Sequence, residues 1–244
     1  MARLIIIVSL SLGLFLLAHD KASAQGAATG LVAVNHARYS EKTELFEEYT
    51  PLIVGQTVRS TAHLTKLGDT FVAYTDATVD VTLTIEGVAI KGHADGPERP
   101  GVFRVFLTPT RAGTGRMEVN VVTKDYSDRF VIDGVQVHPD MATALARQIK
   151  PDLSGTVSYS KEKSWDSGGF ATAPVRKERG IIVVPGKALF EANTVSYAYV
   201  QRTPERFEKR RVSIGRIYDG NAEVLDGLRD GERIVVNGID QLPR

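Results

Sequence analysis

Residues 184–242 read VPGKALFEANTVSYAYVQRTPERFEKRRVSIGRIYDGNAEVLDGLRDGERIVVNGIDQL. The stretch is a run of strand-sized segments separated by glycine turns. Gly215, Gly220, Gly227, Gly231 and Gly238 punctuate it, and glycine takes up the positive φ of tight turns without steric cost. Asp219-Gly220 and Asp230-Gly231 are tight-turn dipeptides of the hairpin kind. Between them, Ala222-Glu223-Val224-Leu225 and Glu232-Arg233-Ile234-Val235-Val236 have the length of strands. A small β-barrel-like domain over residues 179–244 is therefore expected. Within it Arg206, Lys209, Arg210 and Arg211 form a basic patch, with Glu205 and Glu208 interleaved. Such alternation of sign suits a salt-bridged exposed hairpin. It also suits contact with an acidic face of a partner.

The order of short motifs in this stretch carries a resemblance. Val184-Pro185 comes first, then Tyr199-Val200, then Phe207 with Arg211-Val212 and Gly215. Gly227-Leu228 with Gly231-Glu232 follows, and Val235-Val236 with Gly238 closes the series. The series resembles the membrane-proximal domain of periplasmic adaptor subunits, or membrane fusion proteins, of resistance-nodulation-division efflux pumps. The resemblance implies a structural coupler and no catalysis.

Upstream, residues 39–138 are patterned as strands throughout. Val79-Asp80-Val81-Thr82-Leu83-Thr84-Ile85 alternates apolar and polar residues, the period of a strand with one buried face. Glu86-Gly87 is a turn. Gly101 to Leu107, Met117 to Val121, Phe130 to Ile132 and Val135 to Val137 continue the set, broken by Pro109 and Ala112-Gly113. Short strands at this spacing predict an immunoglobulin-like β-sandwich, here without a disulfide because the chain has no cysteine. Glu44-Leu45-Phe46, Pro51 to Gly55, Ala62 to Thr65, Pro100 to Arg104 and Pro109 to Gly113 occur in the order found in the extra N-terminal domain of heavy-metal-type adaptors, which this region resembles. Glu41, Glu44, Glu47 and Glu48 read as a solvated acidic stretch.

Residues 139–178 change character and are expected to form a helix and a linker. Asp140 is placed to cap a short helix with Met141, Leu145 and Ile149 on one face, ended by Pro151. Trp165 and Phe170 to Val175 resemble the segment that leads out of the adaptors' N-terminal domain. In that family a lipoyl-like domain, a helical hairpin and most of a β-barrel then intervene. Here Val175 is followed within ten residues by Ile181-Ile182-Val183-Val184-Pro185. The central segments of the family, including the hairpin that engages the outer-membrane channel, are missing from the pattern.

At the other end, Arg3, the apolar run Leu4 to Ala18, and Ala22-Ser23-Ala24 form the n-region, h-region and cleavage site of a signal peptide over residues 1–24. Residues 25–38 read as a flexible leader. Cleavage removes Arg3, Lys21 and Asp20 and takes the formal charge from +1 to neutrality. A neutral balance gives no support for nucleic-acid binding.

No motif for catalysis is present. There is no cysteine, no G-x-S-x-G elbow and no phosphate loop. His36, His63, His93 and His138 lack ligand spacing, and Met117 and Met141 are isolated; His63 and His93 are the best placed of these. No catalytic, cofactor or metal residues are assigned. The reading is a mainly β, non-enzymatic protein: an N-terminal immunoglobulin-like β-sandwich plus a C-terminal small β-barrel-like membrane-proximal domain. As the resemblance implies, it is a shortened adaptor subunit of a tripartite efflux system, exported to the periplasm. Its implied partners are an inner-membrane resistance-nodulation-division transporter and full-length adaptor copies. Heavy-metal cations or other toxic compounds are the implied cargo, and Arg206, Lys209, Arg210 and Arg211 are the candidate partner contact. The rival reading is a free-standing periplasmic binding module for a metal or a protein.

Overall fold

The strand that alternates most strictly in sequence alternates in space as well. Over Thr78–Ile85, Val79, Val81, Leu83 and Ile85 are buried, while Thr78, Asp80, Thr82 and Thr84 stay partly open to solvent. The computed structural model describes residues 30–243, so the expected signal peptide and residues 25–29 of the expected leader lie outside the described residues. The rest of that stretch is no loose leader, because residues 34–38 pair with the next strand as part of the first strand of the sandwich. The chain is mainly β. Strands β1 (Val34–Tyr39), β2 (Thr43–Tyr49), β4 (Val58–Lys66) and β5 (Val72–Ala73) form one sheet in that order, and β8 (Val102–Leu107) also pairs with β4. A second sheet has the order β3 (Leu52–Ile53), β10 (Ser127–His138), β9 (Gly113–Val122), β6 (Thr78–Ile85) and β7 (Val88–Ala94). The inward residues of both sheets, among them Leu45, Leu64, Leu83, Phe103, Val105, Met117, Val119 and Ile132, make one core. The two layers are thus a sandwich, each large buried aliphatic or aromatic side chain contributing about 1.5–3 kcal/mol of transfer free energy.

The sheet containing Arg206 to Arg211 has the order β11 (Thr156–Ser158), β17 (Arg206–Arg211), β16 (Val195–Thr203), β20 (Arg233–Asn237) and β12 (Ala171–Pro174), with β15 (Phe190–Ala192) on β16. A four-stranded sheet of β13 (Lys177–Glu178), β14 (Ile181–Pro185), β19 (Asn221–Asp226) and β18 (Ser213–Tyr218) packs against it. Ile182, Val184, Ala198, Val200, Val224 and Ile234 fill the space between them. The expected turns form in detail. Asp219 and Gly220 both have positive φ, 47° and 74°, between the paired residues Tyr218 and Asn221; that is the two-residue turn whose twist matches a hairpin. Glu86-Gly87 repeats it, at 45° and 80°.

Residues 139–178 are more than a helix and a linker. Asp140 does cap helix α1 (Met141–Arg147), its carboxylate accepting from the Thr143 N–H at 2.7 Å. The expected apolar face does not form. Gln148 is extended, so Ile149 falls off the helix and is 87% exposed, and Ala144 is the buried residue instead. Downstream, β11 and β12 add two strands to the C-terminal sheet. Between them lies helix α2 (Lys161–Asp166), capped by the Ser160 hydroxyl.

A further cluster joins the sandwich to the C-terminal sheet. Phe71 and Val102 contribute from the sandwich side. Tyr159, Trp165, Phe170, Tyr199, Phe207, Val235 and Leu242 contribute from the other. Phe170 stacks on Tyr159 at 4.6 Å and meets Phe207 edge-on at 5.4 Å.

The acidic stretch is split by strand geometry, because β2 is covered on both faces. Leu45, Glu47 and Tyr49 point one way, Glu44, Phe46 and Glu48 the other. Glu44 and Glu47 are fully buried, which corrects the expectation of a solvated run. Burial pushes the Glu47 carboxyl from its ordinary 4.5 up to about 7, against the Ser60 hydroxyl, which donates to it and pulls it down. A raised carboxyl favours the folded state while protonated. Its contribution is complete below pH 4.5 and is lost as pH rises through about 7. Glu47→Gln should flatten this dependence in urea unfolding between pH 4.5 and 8. It should raise stability at pH 8 relative to the wild-type protein, by about 3 kcal/mol at most. A wild-type stability that climbs across this range and is unaltered in the variant would refute the assignment.

Candidate docking surface

Consecutive strand residues face opposite ways, and this divides the basic patch. Arg206, Glu208 and Arg210 share one face of β17; Phe207, Lys209 and Arg211 share the other. Arg210 is spent internally. Its guanidinium donates to Glu208 at 2.8 Å and to both oxygens of Glu232 at 2.7 and 2.8 Å, and it lies over the C-terminal core with one-fifth of its side chain exposed. Bonding to Arg210 holds the Glu208 carboxyl down at about 2, and Arg202 adds to the effect. Arg206 is half-buried beside the Ser158 pairing of β11.

On the other face the cations keep company with aromatic rings. The Lys209 ammonium lies 4.6 Å from the Tyr197 ring centroid and 5.2 Å from that of Phe190. Those two rings stack at 5.7 Å and are half-buried. Arg211, paired across the ladder with Tyr197, is exposed. The predicted patch therefore resolves into a structural arginine at 210 and a mixed cationic and aromatic strip at 190, 197, 209 and 211.

A second exposed feature escaped the sequence reading. On β14, Ile182 and Val184 point into the core, while Ile181 and Val183 point outward, 41% and 37% exposed. Leu225 on the neighbouring β19 is 68% exposed on the same outward face. The run Ile181 to Val184 reads as fully apolar, so the sequence gives no sign that half of it faces water.

The histidines are placed as local partners. His93 sits between two carboxylates, Nδ1 to Asp80 at 2.7 Å and Nε2 to Asp95 at 2.9 Å. The Asp80 and Asp95 bonds raise its pKa. His63 lies 3.4 Å from Glu48 and against Phe46 and Trp165. It lines a cavity of about 430 Å³ that also reaches Glu205 and Met141. Among the described residues, no three His, Cys, Asp or Glu side chains are arranged to hold a metal ion.

Residues 182–239 match the family model described as the CzcB C-terminal circularly permuted SH3-like domain. Those residues are thus similar to the C-terminal domain that the family model describes. A search of curated proteins returns no match. Among solved structures, the crystal structure of ZneB from Cupriavidus metallidurans is similar over 77% of this chain and 42% of its own, at 16% identity and a TM-score of 0.25. The chain accordingly spans less than half the length of that protein.

Proposed function

We propose that the protein is a non-enzymatic periplasmic adaptor subunit of a tripartite efflux system. Its C-terminal domain docks on an inner-membrane resistance-nodulation-division transporter, and the exported cargo is heavy-metal cations. The observation that carries this reading is the match of residues 182–239 to the C-terminal domain of CzcB. Two exposed features of that domain support contact with a partner: the strip of Lys209 and Arg211 beside Phe190 and Tyr197, and the outward apolar side chains Ile181, Val183 and Leu225. Exposed apolar side chains rimmed by charge are typical of interaction sites.

Co-purification from membranes with a cognate transporter tests the proposal. Lys209→Glu with Arg211→Glu should weaken capture by about tenfold or more at low salt, and less at high salt where charges are screened. Arg210→Glu should instead lower stability, because Arg210 holds Glu208 and Glu232. Capture unaffected by the double reversal at every salt concentration would remove the strip from the interface. The chain alone should not restore metal resistance to a strain lacking its full-length adaptor. The longest helix among the described residues, Met141–Arg147, has 7 residues and spans about 10 Å. Full complementation would show that a long helical hairpin is dispensable.

A further inference from the structure

Away from the docking strip, a cleft of about 850 Å³ opens between the end of β1 and the C-terminal sheet. Tyr39, Thr172, Arg176, Gln201, Arg202 and Arg233 line it, together with the carboxylates of Glu41 and Glu232. The charges there do not balance locally. Glu232 is already held by both Arg210 contacts and by the Arg229 N–H at 2.9 Å. Arg202 shares Glu208 with Arg210. Among the described residues, Arg176 and Arg233 have no carboxylate at ion-pair distance, and Arg176 is exposed.

Arg233 is the unusual member. Its guanidinium is half-buried, and burial lowers its pKa. Buried charges are ordinarily paired. Here the direct contacts of the fork are to neutral groups, while the Glu44 carboxylate, which is paired with Lys161, favours its charge from beyond ion-pair distance. Nε donates to the Thr172 hydroxyl at 3.2 Å, one terminal nitrogen donates to the Thr172 carbonyl at 2.8 Å, and the Tyr39 ring lies 4.2 Å from the guanidinium carbon. Orientation is set while N–H donors and charge remain available. Gln201 helps to fix this wall, its Oε1 accepting from the Thr172 hydroxyl at 3.2 Å and from the Tyr39 hydroxyl at 3.4 Å.

We propose that this cleft binds a small oxyanion of phosphate type, held by the guanidinium groups of Arg233, Arg176 and Arg202. Planar guanidinium forks match the oxygens of phosphate in two-point hydrogen bonds. Three arginines around one cleft suit a group carrying more than one negative charge. The phosphate can be free or part of an anionic lipid headgroup, and the chemistry of recognition is the same.

The test is calorimetric titration of the whole protein with inorganic phosphate and pyrophosphate at low salt, beside flotation with vesicles of phosphatidylcholine with and without phosphatidylglycerol. Saturable one-site binding of the free anions is expected. Arg176→Ala and Arg202→Ala should each weaken it at least about tenfold, the range of a charge-assisted hydrogen bond. Arg176 is exposed and has no ion pair among the described residues, so its loss should leave the circular dichroism spectrum and melting temperature unchanged. Arg233→Lys, which keeps the charge and removes the fork, should also weaken binding. Binding confined to phosphatidylglycerol vesicles and lost in the same variants would support the site and identify the headgroup as its source. Binding to neither, or binding indifferent to Arg176→Ala and Arg202→Ala, would overturn the proposal.

Discussion

Lys161→Met should cost the protein about 3–5 kcal/mol of folding free energy, the penalty for stranding one member of a buried ion pair. Lys161 opens helix α2 and Glu44 lies on β2, 117 residues apart in sequence, yet Nζ and Oε1 are 2.7 Å apart. Their side chains are 1% and 0% exposed. The ammonium also stands 4.6 Å from the Phe71 ring centroid, and the Lys161 backbone N–H donates to Glu205 at 2.7 Å. Removing the lysine leaves a carboxylate enclosed by the sandwich and the C-terminal sheet, with one oxygen, Oε2, already lacking a hydrogen-bond partner. Replacing both residues by apolar ones, Glu44→Leu with Lys161→Met, should recover most of the loss, because neither charge is then desolvated. Urea unfolding of the four proteins in the cycle measures both effects. A single variant within 1 kcal/mol of the wild-type protein would show that the pair does not join the two halves in solution.

That pair also shows where the sequence could be read and where it could not. Strands with one open face were plain, because alternation at Val79 to Ile85 is a local signal that long-range packing did not disturb. Turns were plain for the same reason: Asp219-Gly220 and Glu86-Gly87 fix their own backbone. The mainly β class and the adaptor-like C-terminal domain followed from such local features and their order. The burial of Glu44 and Glu47 is hidden in the sequence because a strand covered on both faces looks like a charged run until its neighbours are known. Trp165 and Phe170 look like linker residues because Ser167-Gly168-Gly169 separates them. The clue available was the chain's single tryptophan, a residue seldom left in the open, five residues before a phenylalanine. The basic patch is visible in composition, and the two-residue period of its strand divides it. The cleft around Arg233 had no sequence signal, since its lining comes from β1, β12, β16 and β20.

Trp165→Ala should be the other variant with a large effect, about 3–5 kcal/mol for truncating a buried aromatic side chain. The indole is 9% exposed and donates to the Thr65 hydroxyl at 2.9 Å, so the truncation removes ring packing and leaves a buried hydroxyl without its donor. The ring is seated on Gly101. A Cβ built there would lie 2.4 Å from the ring, and the residue's φ of 78° is one that side chains disfavour. Gly101 cannot move aside, because its N–H donates to the Tyr74 carbonyl at 2.7 Å and its own carbonyl accepts from Leu64 at 2.8 Å. Gly101→Ala in the wild-type background therefore meets both a clash and backbone strain. In the Trp165→Ala background the clash is gone, and only the strain of about 1–2 kcal/mol should remain. The two substitutions should fall well short of additivity, as expected of residues in direct contact. Limited proteolysis gives an independent reading. With Trp165 in place, residues 156–174 are held by α2, β11 and β12 and should resist cleavage. In Trp165→Ala, nicking near Ser167 to Gly169 should appear before either β-unit is degraded. Additive costs, or early nicking of the wild-type protein at that site, would mean that this stretch is the loose connection its composition suggests and that the aromatic cluster does not fasten the sandwich to the C-terminal domain.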